Sequence, residues 1–378
     1  MRTRLAVVLC GFTAFSGSVH AQPVTRLTKP DVEFAAELSS IAGVHERSDG
    51  RVIVLDRKEK RILALDAAGG ATSVAREGSG PGEYLQPTAL IALPGDTTLI
   101  EDGGNRRFLV IGPDRKATGV LPMVTLKPSE GVTYTVTPRG VDRQGRFYVL
   151  TPTGLAPNER IPILRYDRRR EKFDTIGSVL NERFGAARGQ PQARVGGASF
   201  GMISPTPWGV KDEWAVLGDG SVAIVHNEPY SLDWVSAAGA ATRGKPISYE
   251  AVRVTEAERQ LWRKQQLDRA GTLTTTDASG NKQVRKIPVP EPTSWPERLP
   301  AFSGQASVVG AADGTVWIRR LGPASAKHAS YDVLDRTGAV IERVELPLNE
   351  SVIGFGRGAV YVVRVDDDGL QYLRRYKR

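Results

Sequence analysis

The sequence predicts an all-β fold, a six-bladed β-propeller whose blades are four-stranded antiparallel sheets. Three observations predict it. A turn glycine followed by a short apolar run recurs six times, each copy is followed by further strand-like segments, and a segment near the N-terminus can complete the last repeat. The 378 residues are 40% hydrophobic and 25% charged, with 40 glycines and 24 prolines. This composition excludes a disordered chain and favours many turns over a helical bundle.

The repeats define the blades. The six glycine-led copies lie at 49–56, 94–100, 144–150, 219–225, 313–318 and 357–363. Their glycines are 45, 50, 75, 94 and 44 residues apart, so three spacings share one period and two contain additions. A period of roughly 40–50 residues made of short strands is typical of propeller blades. The copies are almost entirely apolar because neighbouring blades cover both faces of an inner strand.

Each glycine-led copy is expected to be the second strand of its blade. A first strand precedes it, as at 88–93, and a third strand follows a polar turn, as at 107–111. A more polar outer strand then completes the meander, as at 338–344. The last repeat has only three strands before the chain ends, and residues 32–38 are predicted to supply its outer strand. This pairing would close the ring and leave no free sheet edge between the first and last blades.

The additions at about 179–207 and 247–301 fall in connections between blades. In a meander these connections lie on the same face as the loop at 78–87, and we call it the upper face. Long loops on one side of a rigid scaffold often form binding sites. In the second addition Thr255 and Glu258 match a capping box, which predicts a helix to about Ala270. That helix either covers the channel mouth or packs on the rim. Residues 272–286 are predicted to be polar and mobile.

Residues 1–21 have the features of a signal peptide: arginines at the start, an apolar stretch at 5–15 and a small-x-small cleavage site ending at Ala21. The mature chain would begin at Gln22, in the periplasm or outside the cell. A lipoprotein is the alternative because Cys10 lies in this segment, but Leu9 stands where a small residue is needed. No segment is long and apolar enough to predict a transmembrane helix, and we expect one domain over 22–378.

Charge and cysteine content exclude several classes of function. Cys10 is the only cysteine, so residues 22–378 can form no disulfide, cysteine-ligated zinc site or cysteine nucleophile. The formal net charge is +9, and two of the 51 cations lie in the signal peptide, which leaves +7. These charges are dispersed, and an exported protein rarely meets nucleic acid. Nucleic-acid binding is therefore not expected.

One repeat resembles a known family. Asp102, Gly104, Asn105 and Arg107, followed by an apolar run to Ile111, match the core of an NHL repeat, which runs Asp-x-Gly-Asn-x-Arg. The segment 78–88 resembles the linker that enters an NHL blade, and the other five repeats match in rhythm only. The chain as a whole is similar to bacterial exported six-bladed β-propellers. This resemblance implies the fold and no particular activity.

Candidate ligand contacts are the polar and aromatic residues expected on the upper face, since Tyr, Trp and Arg dominate binding surfaces. They are Tyr84, Asn105, Arg106, His226, Tyr230, Trp295, Arg319 and His328. The alternative for the residues around Asp102 is a turn in which they satisfy local backbone groups. No metal site is expected, because the histidines lack ligand spacing along the chain. The segment 197–201 fits Gly-x-Ser-x-Gly, but no helix follows it, so no serine nucleophile is assigned.

Two functions remain. The favoured one is a monomeric binding scaffold without a cofactor, which presents its loop-rich face to a protein, peptide or glycan of the cell envelope. The alternative is an enzyme similar to lactonases or lyases with propeller folds, which hold a metal in the central channel. The predicted innermost strands, at 39–47, 88–93 and 302–310, offer no matching set of acidic and amide ligands.

Overall fold

A computed structural model of the chain describes residues 22–129, 132–151, 160–180, 192–195, 198–201, 206–276, 282–304 and 306–378. The predicted signal peptide, residues 1–21, lies outside the described residues. Within the described ranges, no helix has the length and apolar character needed to cross a membrane.

The described chain is built almost entirely of short strands. The first sixteen are β1 (Val24–Arg26), β2 (Val32–Glu33), β3 (Ile41–Glu46), β4 (Val52–Asp56), β5 (Arg61–Leu65), β6 (Ala71–Ser73), β7 (Arg76–Glu77), β8 (Glu83–Tyr84), β9 (Pro87–Leu93), β10 (Thr97–Asp102), β11 (Arg107–Ile111), β12 (Ala117–Pro122), β13 (Val124–Ser129), β14 (Val132–Val136), β15 (Gly140–Val141) and β16 (Phe147–Leu150).

The second part of the chain contains the remaining strands and one helix. They are β17 (Arg160–Asp167), β18 (Lys172–Leu180), β19 (Gln192–Val195), β20 (Ala198–Gly201), β21 (Glu213–Val216), β22 (Val222–Asn227), β23 (Tyr230–Val235), β24 (Ala241–Thr242), α1 (Glu256–Arg269), β25 (Thr272–Thr276), β26 (Lys282–Lys286), β27 (Val308–Gly310), β28 (Val316–Arg319), β29 (His328–Leu334), β30 (Val340–Pro347), β31 (Glu350–Gly356), β32 (Ala359–Val365) and β33 (Gln371–Lys377).

Six antiparallel meanders form the blades, as predicted. From the innermost strand outwards they are β3–β6, β9–β12, β15–β18, β21–β24, β27–β30 and β31–β33 with β2, numbered one to six in chain order. Innermost strands of consecutive blades contact each other around the ring, and β31 of blade six contacts β3 of blade one. The chain is therefore a closed six-bladed β-propeller.

The glycine-led segments are the second strands of the blades, where neighbouring blades cover both faces. All five residues of β4 are buried. The turn before each second strand contains a glycine with positive φ, for example Gly50 at 80° and Gly145 at 75°. A side chain is strained in that conformation, which explains why glycine opens each repeat.

The ring closes through the predicted N-terminal segment. Val32 of β2 pairs with Arg375 of β33, and the Phe34 amide donates to the Leu373 carbonyl at 2.9 Å. The structure also shows a strand near the N-terminus that was not predicted: β1 runs parallel to β30, the outer strand of blade five. All three residues of β1 are exposed, so no apolar alternation marked it in the sequence.

The innermost strands approach each other closely where glycine leaves room. A Cβ on Gly140 would lie 2.7 Å from the Val216 Cβ of the next blade, and one on Gly43 would lie 2.9 Å from the Leu90 Cβ. Both glycines are therefore required by packing rather than by backbone conformation. Tight contact at the centre gives the upper-face loops a rigid base.

Three excursions extend the connections between blades on the upper face. The addition at 179–207 contains the hairpin β19–β20, and the addition at 247–301 contains α1 and the hairpin β25–β26. The segment 272–286, predicted to be polar and mobile, forms most of this second hairpin, which was not predicted. The third excursion, the hairpin β13–β14, was not predicted. The strand that follows it, β15, has only two residues, so the distance between the turn glycines of blades two and three stays near the common period despite the added hairpin.

Candidate functional site

A cleft of about 750 Å³ lies on the upper face between α1 and the upper end of blade five. Its floor is the connection between β28 and β29, and its roof is the helix with the segments that enter and leave the 247–301 addition. Arginine, leucine and tryptophan side chains are among those that line it. The cleft is roughly twice the volume of two other concavities, one beside β13 and the connection after β17 and one beside residues 26–31.

The roof is fixed by the N-terminus of α1. Glu258 accepts a hydrogen bond from the Thr255 amide at 2.9 Å, and the Thr255 hydroxyl caps the first turn, as the sequence predicted. The second Glu258 oxygen accepts from the Ala324 amide of blade five at 3.0 Å. This bond, with those from Thr255, lowers the pKa of Glu258 to about 2. One ionised carboxylate thus caps the helix and joins it to the propeller.

Three tryptophans hold the helix against the rest of the addition. Trp262 of α1 lies 5.3 Å from Trp295 and 6.5 Å from Trp208, measured between ring centroids. Arg259 and Arg263 lie over the Trp295 ring at 5.7 and 5.3 Å. The predicted site residue Trp295 therefore anchors the roof beside the cleft. Leu261, on the same helix, faces the cleft and stays 39% exposed.

The floor is built on Asp332, which is buried in blade five. It accepts hydrogen bonds from Arg320 at 2.7 Å, from the Tyr230 hydroxyl at 3.1 Å and from Arg343 at 3.2 Å. Burial, and then the Asp332 charge, raise the pKa of the Tyr230 phenol well above its usual value. Tyr230 is only 2% exposed, so its interpretation as a ligand contact is corrected: it supports the floor from below.

Two arginines in the cleft have no side-chain partner among the residues that the structure describes. Within the described part of the chain, neither Arg253 of the roof nor Arg319 of the floor donates a hydrogen bond from its side chain or forms an ion pair. The predicted residue His328 also lines the cleft, 43% exposed, with Nδ1 4.0 Å from a Glu345 oxygen. The structure thus brings Arg319 and His328 together at one site.

Three of the other predicted contacts, Tyr84, Asn105 and Arg106, do not line this cleft and belong to blade two or to the connection that enters it. Tyr84 is 4% exposed and packs in the core between blades one and two, so it cannot serve as a surface contact. Asn105 donates to the Gly78 carbonyl at 3.1 Å and to Asp102 at 2.6 Å, which makes it part of a turn. Arg106 is exposed in the same turn with φ 53°.

His226 of blade four lies between two carboxylates. Its Nδ1 is 2.9 Å from Asp212 and its Nε2 is 3.2 Å from Asp233. Asp212 also accepts from the Leu180 amide of blade three at 2.8 Å. Burial alone would lower the pKa of His226, but the two carboxylates outweigh it and raise that pKa. The ring holds Asp212 and Asp233, and Asp212 in turn joins blade four to blade three, which is a structural role.

Sequence reasoning missed Arg253 and the floor carboxylate Asp332. Arg253 carries no motif, and only the return of the 247–301 addition over blade five brings it to the cleft. Asp332 lies in the mainly apolar strand β29. A lone acidic residue in a strand expected to be buried was the only sign in the sequence that it has a special role. Ser199 of the Gly-x-Ser-x-Gly segment lies on β20, a strand of a hairpin, and its side chain is outside the described residues.

No protein-family model and no curated protein matches the sequence. Among solved structures, the calcium-binding protein regucalcin from Agrobacterium tumefaciens is 14% identical, with a TM-score of 0.43 over 95% of this chain and 98% of its own. A virginiamycin B lyase from Staphylococcus aureus is 14% identical, with a TM-score of 0.36 over 90% and 98%. A gluconolactonase from Xanthomonas campestris is 9% identical, with a TM-score of 0.43 over 94% and 99%. Likeness at this level carries no argument about this chain, whose fold is established by its own ring of six blades.

Proposed function

We propose that this protein is an exported β-propeller that binds a ligand in the cleft between α1 and blade five. The single observation that carries the proposal is the cleft itself, whose volume of about 750 Å³ lies within the range usual for ligand sites. It joins a rigid floor to a roof fixed by Glu258 and the tryptophans. The signal-like residues 1–21 support export, and hence a peptide, protein segment or glycan of the cell envelope as the ligand.

A matched pair of helix variants tests the cleft. Leu261 faces it, whereas Leu267 lies on the same helix, is 50% exposed and does not line the cleft. The neutral dye N-phenyl-1-naphthylamine serves as the probe. We expect the wild type and Leu267→Trp to bind one dye molecule each, and Leu261→Trp to lose most of that binding because indole fills the cleft. Equal dye binding by all three proteins would contradict the proposal.

The alternative is a lactonase- or lyase-like enzyme with a metal in the central channel, since several propellers compared above are named as such enzymes. Two buried carboxylates at the upper ends of blades two and four already have protein partners. Thr88 and Thr137 hydroxyls donate to the two Glu101 oxygens, and Glu213 pairs with Arg139 and Lys211 at 2.8 and 2.9 Å. Among the residues that the structure describes, no three His, Cys, Asp or Glu side chains converge on a metal position.

Metal analysis distinguishes the two functions. The binding proposal expects no stoichiometric metal in the purified protein and no hydrolysis of D-glucono-δ-lactone above the uncatalysed rate. Stoichiometric calcium or zinc, together with lactone hydrolysis that a chelator abolishes, would establish the enzymatic alternative.

A further inference from the structure

The cleft has more positive than negative charge. Five arginines line it, at positions 253, 298, 319, 320 and 343, against the carboxylates of Glu250 and Glu258. Asp332, beneath the floor, neutralises part of this charge through Arg320 and Arg343. Counting these eight side chains, two positive charges remain uncompensated. A cleft with this surplus favours an anion.

The surplus is concentrated on side chains that are free to bind. Arg298 already donates to the Ala251 carbonyl at 2.9 Å, and Arg320 to the Ala301 carbonyl at 2.8 Å. The side chains of Arg253 and Arg319 donate no hydrogen bond among the described residues, and both residues line the cleft. A guanidinium group matches a carboxylate or phosphate through two parallel hydrogen bonds.

The same cleft also has an apolar wall. Leu261 of the roof and Leu348, in the connection that follows blade five, are 39% and 53% exposed. Leu321 of the floor and Trp208 lie between them around the cavity. Exposed leucines beside unpaired arginines favour a ligand that is apolar at one end and charged at the other.

We propose that the cleft binds an amphiphilic anion, with a carboxylate or phosphate held between Arg253 and Arg319 and an apolar body against Leu261 and Leu348. This inference rests on the ligand-binding function proposed above and specifies the chemistry of the ligand. Arg253 comes from the addition and Arg319 from blade five, so a bound anion ties the roof to the floor.

A series of octyl compounds with different head groups tests the anion. Octanoate, octyl phosphate, octanamide and octylamine share the apolar chain and carry negative, neutral or positive head groups. In calorimetry at low salt, we expect octanoate or octyl phosphate to bind at least tenfold more tightly than octanamide, and octylamine not to bind. The tighter of the two anions identifies the head group.

Arginine variants locate the effect. Arg253→Gln and Arg319→Gln should each weaken binding of the preferred anion about tenfold and leave octanamide unchanged, because each removes one charged donor. Arg57→Gln is the matched control, since Arg57 is exposed in the connection that follows β4, on the upper face outside the cleft. Thermal unfolding of all three variants should match that of the wild type.

Three results would overturn the inference: octanamide binding as tightly as both anions, anion binding unaffected by both cleft substitutions, or no binding of either anion at 10 mM. The ligand-binding function has a separate test, because the neutral dye and the Leu261→Trp and Leu267→Trp pair do not depend on charge. Dye binding lost in Leu261→Trp alone would keep the function while the anion proposal fails.

Discussion

Two regions of the upper face, on opposite sides of the ring, use polar side chains in different ways. Over blade two, Asp102 accepts hydrogen bonds from the Leu85 and Gln86 amides at 3.1 and 2.9 Å and from Asn105 at 2.6 Å. Arg107 donates to three carbonyls of the 79–83 loop. These polar groups hold the chain to itself, and we call Asp102, Asn105 and Arg107 the blade-two cluster.

Over blade five the arrangement differs. Asp332 and its partners form a satisfied base, but Arg253 and Arg319 above it have no acceptor among the described residues. The blade-two cluster carries the recognisable motif, whereas the cleft has none. The comparison shows that a recognisable polar motif can stabilise the fold rather than bind a ligand. Charged side chains without protein partners are a better indication of a ligand site.

The largest expected effect is at the centre of the blade-two cluster. Asp102→Ala leaves several buried donors without an acceptor, so we expect unfolding free energy to fall by about 3–5 kcal/mol. Urea denaturation followed by circular dichroism measures it. Asp367→Ala, in an exposed turn of blade six, is the control and should change stability by less than about 0.5 kcal/mol. Equal losses in the two variants would remove the structural role assigned to Asp102.

The two arginines Arg107 and Arg319 compare the regions directly. Arg107→Gln should cost about 2 kcal/mol, because three carbonyls lose a charged donor. Arg319→Gln should change stability by less than about 0.5 kcal/mol, since its side chain donates no hydrogen bond to any described residue. The same denaturation experiment measures both. A large loss for Arg319→Gln would mean that this side chain is structural and that the cleft proposal misplaces it.

The link between α1 and blade five should be sensitive to acid. Because the folded protein lowers the pKa of Glu258 to about 2 from 4.5, ionised Glu258 stabilises the fold above about pH 4.5, and this contribution is lost as pH falls towards 2. Glu258→Gln should accelerate hydrogen exchange in α1 at neutral pH and make it less dependent on pH. Glu256→Gln, exposed in the first turn, should leave exchange near the wild-type rate. Unchanged exchange in Glu258→Gln would exclude the link.

The smallest expected effect concerns His226, which belongs to neither region. Its pKa is raised in the folded protein, so its contribution to stability is complete below pH 6.5 and is lost as pH rises through the folded-state value. We expect His226→Gln to flatten this part of the stability profile by no more than about 1 kcal/mol. Parallel profiles for wild type and variant would show that the two carboxylates do not favour the protonated ring.

Much of the fold could be predicted because short sequence patterns specify its strands, turns and helix start. The glycine-led runs identified every second strand, since two covered faces demand apolar residues and the preceding turn demands a positive φ. Thr255 and Glu258 identified the start of α1. The patterns failed where elements are short or lack alternation, as for β1 and β15, and where an apparently polar segment pairs with itself, as in β25–β26.

The sequence by itself determined the repeat, the ring closure by residues 32–38 and the helix in the addition, because each depends on neighbours along the chain or on a fixed period. For the residues around Asp102 it left two interpretations, a ligand contact and a turn, and the hydrogen bonds of Asp102 and Asn105 favour the turn. Only the tertiary structure decided which polar side chains stay unsatisfied. Arg253 and Arg319 meet at one cleft because the 247–301 addition folds back over blade five. No local pattern encodes that return: long connections are positioned by packing, here by Glu258 on Ala324 and by three tryptophans.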